Sequence, residues 1–364
     1  MDNLLARVEC LERQARTVEQ RLRWWRGLAL ALLVLGLVSW NLPDLIAASK
    51  PDLESRVAAL ESLLKHFSRD GDEITIKGAN LNIVNGIGAQ EDCGVKEVTD
   101  PVCPHNGLGN LTIGYNEPRG DGTDVRTGSH NLVMGRFNNY SGGTGNLIGG
   151  YFNEVFSHNS MIFGGSFNRL FGEASVLLAG NSNEIAPEGR WAGLFTGGGN
   201  RVENQAAAVF GGLGNIAAGG ASAIVGGLNN RTSAFDAEGI GAGHQTIVGA
   251  DSGFAQGSYS NIHGGFLAQT LGHSASVFGG YQNRADSFLS AILGGNTNFI
   301  EGPFGAAYSA ICGGQGNRTT AQYATVTGGQ HNIAGGEWSV VSGGQERSVD
   351  GNHDWRAGNL FQDE

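Results

Sequence analysis

A short motif recurs about every fifteen residues beyond residue 111: two apolar residues, two glycines, two variable residues and an asparagine. It reads Ile-Phe-Gly-Gly-Ser-Phe-Asn at 162–168 and Val-Phe-Gly-Gly-Leu-Gly-Asn at 209–215. A fixed short period is typical of a solenoid, in which each repeat adds one coil to a stack. The sequence therefore predicts a mainly β chain, with a parallel β-solenoid or β-roll of ~15-residue coils over residues 111–350.

The two apolar positions of the motif predict self-association. The first is aliphatic almost throughout, as at Leu147, Ile162 and Ile224, and we assign it to the coil interior. The second must face the opposite way, because side chains alternate along a strand. It is still mainly apolar, and a coil this narrow cannot cover both faces. We expect subunits to bury this outward column: Phe163, Phe195, Phe210, Val225, Phe278, Leu293 and Cys312.

The glycines and asparagines are expected at the coil corners. Glycine supplies 61 of the 364 residues, and two explanations remain open: positive φ at tight corners, or close backbone approach at an oligomer axis. Asparagine tolerates left-handed geometry and forms stacked ladders, so we expect a structural ladder, with a glycan- or ion-binding row as the alternative. The ladder residues are Asn139, Asn153, Asn168, Asn183, Asn200, Asn215, Asn230, Asn283, Asn298, Asn317 and Asn332.

The N-terminus carries signs of a membrane anchor. Residues 1–26 have heptad spacing and predict a cytoplasmic coiled-coil arm. Residues 27–46 predict a transmembrane signal anchor, because residues 27–43 carry no charge and tryptophans flank them. Arginines precede this run and acids follow it. We therefore expect a single-pass protein of the bacterial cytoplasmic membrane, with its N-terminus inside and the solenoid extracytoplasmic. A cleavable signal peptide ending near residue 48 is the alternative.

Three further segments complete the predicted organisation. Residues 50–70 resume the heptads and predict a coiled-coil stalk. Residues 71–110 predict a β-strand neck and a polar linker, in which Cys93 and Cys103 are a candidate disulfide in an extracytoplasmic setting. Residues 351–364 predict a terminal cap, which keeps the last coil from pairing onward.

The repeats resemble the heads of YadA-type trimeric adhesins. The resemblance covers about residues 111–345 and rests on segments such as 223–226, 291–294 and 310–313, each Ala-Ile, one apolar residue and glycine. Two features depart from that family: the fifteen-residue step and the Gly-Gly-x-x-Asn turn. Family members also end in a membrane-embedded autotransporter barrel, which residues 351–364 do not predict. The resemblance implies a left-handed β-roll, a homotrimer and an adhesive or spacing surface.

Composition and spacing disfavour catalysis and nucleic-acid binding. The net charge is −11 and no lysine follows Lys96, whereas phosphate binding needs clustered cations. Acids and histidines are scattered, so we expect no catalytic, cofactor or metal site. The predicted function is a non-catalytic, membrane-anchored surface fibre, adhesin-like or a structural spacer. The alternatives are a secreted or phage-tail-like carbohydrate-binding solenoid and, less favoured, a polysaccharide-degrading enzyme.

Aromatic residues in the inserts between coils are candidates for binding a surface glycan or protein ligand. On a rigid scaffold such loops commonly carry recognition, and their rings suit sugars, while packing against neighbouring subunits explains them equally well. These residues are Tyr115, Trp191, Phe254, Tyr259, Phe299 and Phe304.

Overall fold

A computed structural model describes residues 11–33, 53–84, 86, 107–115, 117–232, 239–244, 246–248, 259–302, 305–358 and 360–362. The chain divides into two compact units, Met1–Asn82 and Ile83–Glu364. Cys93 and Cys103 lie outside the described residues, as does the predicted membrane segment beyond residue 33. The predicted disulfide therefore stays a prediction.

The described residues of the first unit form two helices and a β-hairpin. Residues 11–33 form α1, and α2 covers Leu53–Leu64. No helix among the described residues combines the length and apolar character that crossing a bilayer requires. The predicted stalk helix ends earlier than residue 70, because strands β1 (Phe67–Asp70) and β2 (Glu73–Ile76) pair antiparallel. Gly71, at φ +56°, makes the tight turn between them.

The second unit is a parallel β-solenoid built from two facing sheets. The described strands of sheet 1 pair in parallel from coil to coil, and only the last, β33, is antiparallel. They are β3 (Leu111–Ile113), β4 (Leu132–Met134), β6 (Leu147–Ile148), β8 (Met161–Ile162), β10 (Val176–Leu177), β12 (Gly193–Leu194), β14 (Ala208–Val209), β16 (Ala223–Leu228), β18 (Gly239–His244), β20 (Asn261–Ile262), β22 (Ser276–Val277), β24 (Ala291–Ile292), β26 (Ala310–Ile311), β28 (Thr325–Val326), β30 (Val340–Val341), β32 (Trp355–Ala357) and β33 (Leu360–Gln362).

Sheet 2 supplies the other wall, and its described strands are parallel throughout. They are β5 (Asn139–Tyr140), β7 (Glu154–Val155), β9 (Arg169–Leu170), β11 (Glu184–Ile185), β13 (Arg201–Val202), β15 (Ile216–Ala217), β17 (Arg231–Thr232), β19 (Ile247–Val248), β21 (Gln269–Thr270), β23 (Arg284–Ala285), β25 (Phe299–Ile300), β27 (Arg318–Thr319), β29 (Ile333–Ala334) and β31 (Ser348–Val349).

The core consists of one inward side chain from each two-residue strand. In sheet 1 the inward residues are large and aliphatic, such as Ile162 and Ile224, and both are fully buried. The facing column of sheet 2 varies in size and includes Leu170, Val202 and Ala285. These two rows of side chains form the centre of the interior, and the predicted solenoid of about fifteen residues per coil is confirmed.

The first coils shift the predicted register by one residue. Ile148, not Leu147, pairs with Ile162 and is fully buried, so the prediction that Leu147 faces inward is wrong. The cause is a shorter connection: one residue separates Ile148 from Gly150, whereas two separate Ile162 from Gly165. Counting back from the glycines therefore reaches the wrong member of the strand pair.

In most of the motifs, the second glycine makes a corner that no other residue fits. At Gly227 φ is +97°, and a Cβ would collide with the carbonyl oxygen of Gly243 on the next coil. Both sequence explanations apply here, except that the close approach is between coils of one chain. The first glycine differs: at Gly226 a Cβ would meet nothing within 4 Å, and its φ is not positive.

The C-terminal end of the stack is closed differently from its middle. Strand β33 folds back antiparallel on β32, so the last parallel edge of sheet 1 is already paired. Arg356 takes the position that Val341 holds one coil earlier, and its Nη1 donates to the Ser348 carbonyl on sheet 2, 3.0 Å away.

Ile224→Ala should lower the free energy of unfolding by about 2–5 kcal/mol, because it opens a cavity in a core only two residues wide. Val225→Ala is the matched control on the neighbouring residue, which is 59% exposed. Urea denaturation followed by circular dichroism measures both. Equal losses would contradict the inward and outward assignment.

Gly227→Ala should lower the free energy of unfolding by about 1–3 kcal/mol, because the alanine must adopt a left-handed backbone and its Cβ collides with the next coil. Gly226→Ala should change the free energy of unfolding of the single chain by no more than about 0.5 kcal/mol. Thermal unfolding of the two variants under conditions that dissociate oligomers makes the comparison. A stronger effect at Gly226 would overturn the corner assignment.

Candidate functional site

The predicted asparagines form a hydrogen-bonded ladder along one corner of the coils. The Asn183 backbone N–H donates to Asn168 Oδ1 at 3.0 Å, and Asn183 Oδ1 accepts from the Asn200 N–H at 2.9 Å. Each Nδ2 turns back to glycine-corner carbonyls, as from Asn183 to Gly197 at 3.1 Å. The bonds therefore run mostly from side chain to backbone. Direct amide-to-amide bonds also occur, one of them between Asn230 and Asn215 at 3.0 Å.

The ladder departs from the predicted membership at two places. The side chain of Asn138, rather than that of Asn139, belongs to the ladder: its Oδ1 accepts from the Asn153 N–H at 3.0 Å, because the first coils carry the one-residue shift. Thr246 occupies one position with its hydroxyl bonded to Asn230 Oδ1 at 2.7 Å. The ladder asparagines from Asn153 to Asn332 are at most 1% exposed. Their side-chain amides form hydrogen bonds within the chain, so these asparagines are not accessible to a ligand.

A second polar ladder lies at the opposite corner, and the sequence analysis did not predict it. The Asn146 N–H donates to Asn131 Oδ1 at 3.0 Å, and the Ser160 N–H donates to Asn146 Oδ1 at 2.8 Å. The Ser175 N–H continues the series by donating to Ser160 Oγ at 3.2 Å. These positions directly precede the strands of sheet 1. Their signal was weak because the slot accepts asparagine, serine and alanine alike.

An exposed apolar strip follows the outer face of sheet 1. Its members are the residues immediately after the inward position, and each is exposed in the single chain. We call this set the outer strip: Phe163, Leu178, Phe195, Phe210, Val225, Phe278, Leu293 and Cys312. Neighbouring rings stack, as do Phe195 and Phe210 with centroids 4.6 Å apart. The predicted outward orientation of this column is confirmed.

The surroundings of the outer strip are small and uncharged. From β8 to β30, the first residue of each described strand in sheet 1 carries no charge. The first glycine of several motifs lies beside the strip with open space where a Cβ would be; these are Gly226, Gly294, Gly313 and Gly328. The face therefore combines large apolar groups with bare backbone.

The outer face of sheet 2 has the opposite chemistry. From β7 to β13, glutamates and arginines alternate there from coil to coil: Arg169 lies 3.1 Å from Glu154 and 3.6 Å from Glu184. Arg201 continues the row to Glu184 at 3.3 Å and to Glu203 at 3.4 Å. These carboxylates are thus engaged in ion pairs, which removes them as a free acid–base pair.

The aspartates near residue 121 form a turn. Asp121 accepts hydrogen bonds from the Thr123 N–H and hydroxyl, and these bonds lower the pKa of its carboxyl. Asp124 accepts from the Arg119 N–H and the Arg126 guanidinium. Across the described parts of the chain, no group of three or more His, Cys, Asp or Glu residues could hold a metal ion.

The predicted aromatic residues are separated rather than gathered. Tyr115, Trp191 and Tyr259 are 93%, 66% and 56% exposed. Phe299 is half-buried on sheet 2 between the guanidinium groups of Arg284 and Arg318. Phe254 and Phe304 lie outside the described residues. A different aromatic series, Tyr308, Tyr323 and Trp338, stacks face to face at 4.9 and 3.8 Å.

A shallow cleft of about 640 Å³ opens near the first coils. Tyr115, Glu117, Arg136 and Tyr151 line it, with Gly135 and Gly150 as its remaining backbone wall. The Arg136 guanidinium lies over the Tyr151 ring, 5.3 Å from its centroid. This is a concave site that joins aromatic and charged side chains, the combination common in ligand sites.

No family model matches the chain, and no curated protein matches its sequence.

Asn183→Ala should lower the free energy of unfolding by about 1–3 kcal/mol, because it leaves buried backbone groups on two coils without partners. Asn181→Ala is the control two residues away: Asn181 is exposed, and its amide bonds Ser166 Oγ at 2.8 Å. That change should cost less than about 0.5 kcal/mol. Urea titration compares the two variants, and equal losses would show that the ladder adds no stability.

Proposed function

We propose that this protein is a non-catalytic, self-associating surface fibre, adhesin-like or a structural spacer, in which the outer strip is the contact between copies. The observation that carries the proposal is the exposed outer strip, whose apolar residues occupy successive coils from Phe163 to Val225 and again from Phe278 to Cys312, with Gly241 and His263 in the column between. Apolar surface of this extent is unfavourable in water and marks interaction sites on soluble proteins.

The glycines beside the strip support contact between backbones. Their bare surface has no steric cause within the chain, since a Cβ at Gly226 or Gly294 would meet nothing. A close-packed neighbour gives such a row a reason, because glycine lets backbones approach. In this proposal, the first glycine of the motif allows close backbone approach between copies. The second glycine of the motif provides the positive φ at the corner.

The strip suits another copy of the same chain. Identical copies present identical charges, so a self-contact surface must avoid like charges across the contact. Sheet 1 meets this condition on its outer face, whereas sheet 2 presents rows of arginine and glutamate. A partner that matches the strip over many coils also needs the same spacing, which a second copy supplies.

We further propose a homotrimer held at a bacterial cytoplasmic membrane by residues 27–46, with the solenoid outside. The resemblance to YadA-type heads supports the trimer, and the charge asymmetry around the apolar N-terminal run supports the orientation. The paired glutamates on sheet 2 support a non-catalytic role.

Cys312 provides a direct test, because its thiol lies within the outer strip. In the full chain with Cys10, Cys93 and Cys103 changed to serine, a short bis-maleimide should link copies rapidly through Cys312. The control carries Cys312→Ser and Ile333→Cys, which moves the thiol to the outer face of sheet 2, where Ile333 is 37% exposed. Equal or slower linking through Cys312 would contradict the proposed contact.

Leu293→Asp should abolish this cross-linking, because it places identical carboxylates in an apolar contact. Ile333→Asp is the matched control on sheet 2 and should leave the yield unchanged. Retention of circular dichroism in both variants shows that the solenoid stays folded. Undiminished linking in Leu293→Asp would overturn the assignment of the strip.

A further inference from the structure

We propose that the cleft lined by Tyr115, Glu117, Arg136 and Tyr151 binds a saccharide unit that carries a carboxylate, such as a uronic or sialic acid. This inference goes beyond the fibre role, because a spacer or a self-associating rod requires no such site. The cleft and the outer strip share no residue.

The first observation is an aromatic ring held in solvent. Tyr115 directly follows strand β3 and Gly114, whose φ is +118°, and the tyrosine is 93% exposed. Within the described part of the chain, its ring stacks on no other aromatic ring. It therefore offers a free face at the edge of the cleft. Tyrosine gives a large, rigid contact surface with a hydroxyl for hydrogen bonding.

The second observation is an arginine with no carboxylate partner among the residues that the structure describes. Arg119, Arg169 and Arg201 each pair with glutamate. Arg136 is exposed and forms no ion pair with any described residue. Its guanidinium instead rests on the Tyr151 and Phe137 rings, at 5.3 and 5.5 Å from their centroids. These rings orient the cation while its N–H groups stay available for a ligand.

The third observation is the shape of the wall. Gly135 and Gly150 leave bare backbone between the side chains, so the cleft is open and without a deep hole. A flat ring fits such a surface better than a branched side chain does. An open cleft also accepts one unit within a longer polymer.

Together these groups match one ligand chemistry. A sugar ring packs its C–H face on the free face of Tyr115, and its hydroxyls reach the Glu117 carboxylate as an acceptor. A carboxylate on that sugar pairs with Arg136, because guanidinium and carboxylate form two parallel hydrogen bonds. A neutral sugar leaves the guanidinium unused.

Binding is tested on the full-length chain by isothermal titration with trigalacturonic acid, a mannuronic acid trimer and sialyllactose. Their neutral counterparts, the methyl esters of the two uronic acid trimers and lactose, are titrated in parallel. At least one acidic saccharide should bind with a Kd between about 10 μM and 1 mM, and its neutral counterpart at least about tenfold more weakly. The absence of saturable binding by all three acids at 10 mM, or equal affinity for the neutral forms, would overturn the proposal.

Variants locate the binding on the surface. Arg136→Gln should weaken the acidic saccharide about tenfold or more and leave weak neutral binding unchanged, whereas Tyr115→Ala should weaken both. Arg201→Gln and Trp191→Ala are matched controls, an exposed but paired arginine and an exposed tryptophan outside the cleft. Controls that weaken binding as much as Arg136→Gln and Tyr115→Ala would refute the cleft as the site.

Discussion

The structure depends on satisfying backbone groups inside a coil that is only two side chains thick. Each turn of the chain bends sharply at both corners, and the corner peptides are buried away from water. An unpaired buried peptide group costs as much as several apolar contacts return. At one corner the asparagine ladder satisfies these groups, because each side chain forms hydrogen bonds with the backbone of the following coil and of the glycine turn. The small polar residues before sheet 1 answer it at the other.

The thin core explains why the two faces of the solenoid differ so strongly. Once Ile162 and Leu170 meet in the interior, no further space remains for the next apolar residue, Phe163, which stays outside. On sheet 2 the outward positions from Glu154 to Arg201 alternate in charge and form ion pairs between coils. On sheet 1 they are apolar and cover nothing. The charged side chains from Glu154 to Arg201 on the outer face of sheet 2 thus pair with one another, whereas those of the outer strip on sheet 1 remain exposed in the single chain.

Much of this could be predicted from the sequence, because strand alternation and a fixed period are local signals. The parallel solenoid, the buried column at Ile162 and Ile224 and the outward Phe163 follow from them. The shifted register at Ile148 did not, since a single deletion between strand and glycine is invisible without the pairing partner. The second ladder was missed because serine and alanine in its slot resemble ordinary turn residues. Tyr115 was one of the predicted aromatic candidates, but the cleft was not predicted, because Glu117, Arg136 and Tyr151 carry no shared spacing that would bring them to Tyr115.

The antiparallel return of β33 over β32 has a consequence for assembly. A stack of parallel strands that ended openly would offer its final edge to the beginning of another molecule, and copies would join head to tail without limit. Here the returning strand and the Arg356 bond to Ser348 occupy that end. A strand from another molecule could therefore extend sheet 1 at this end only by displacing β33 from β32.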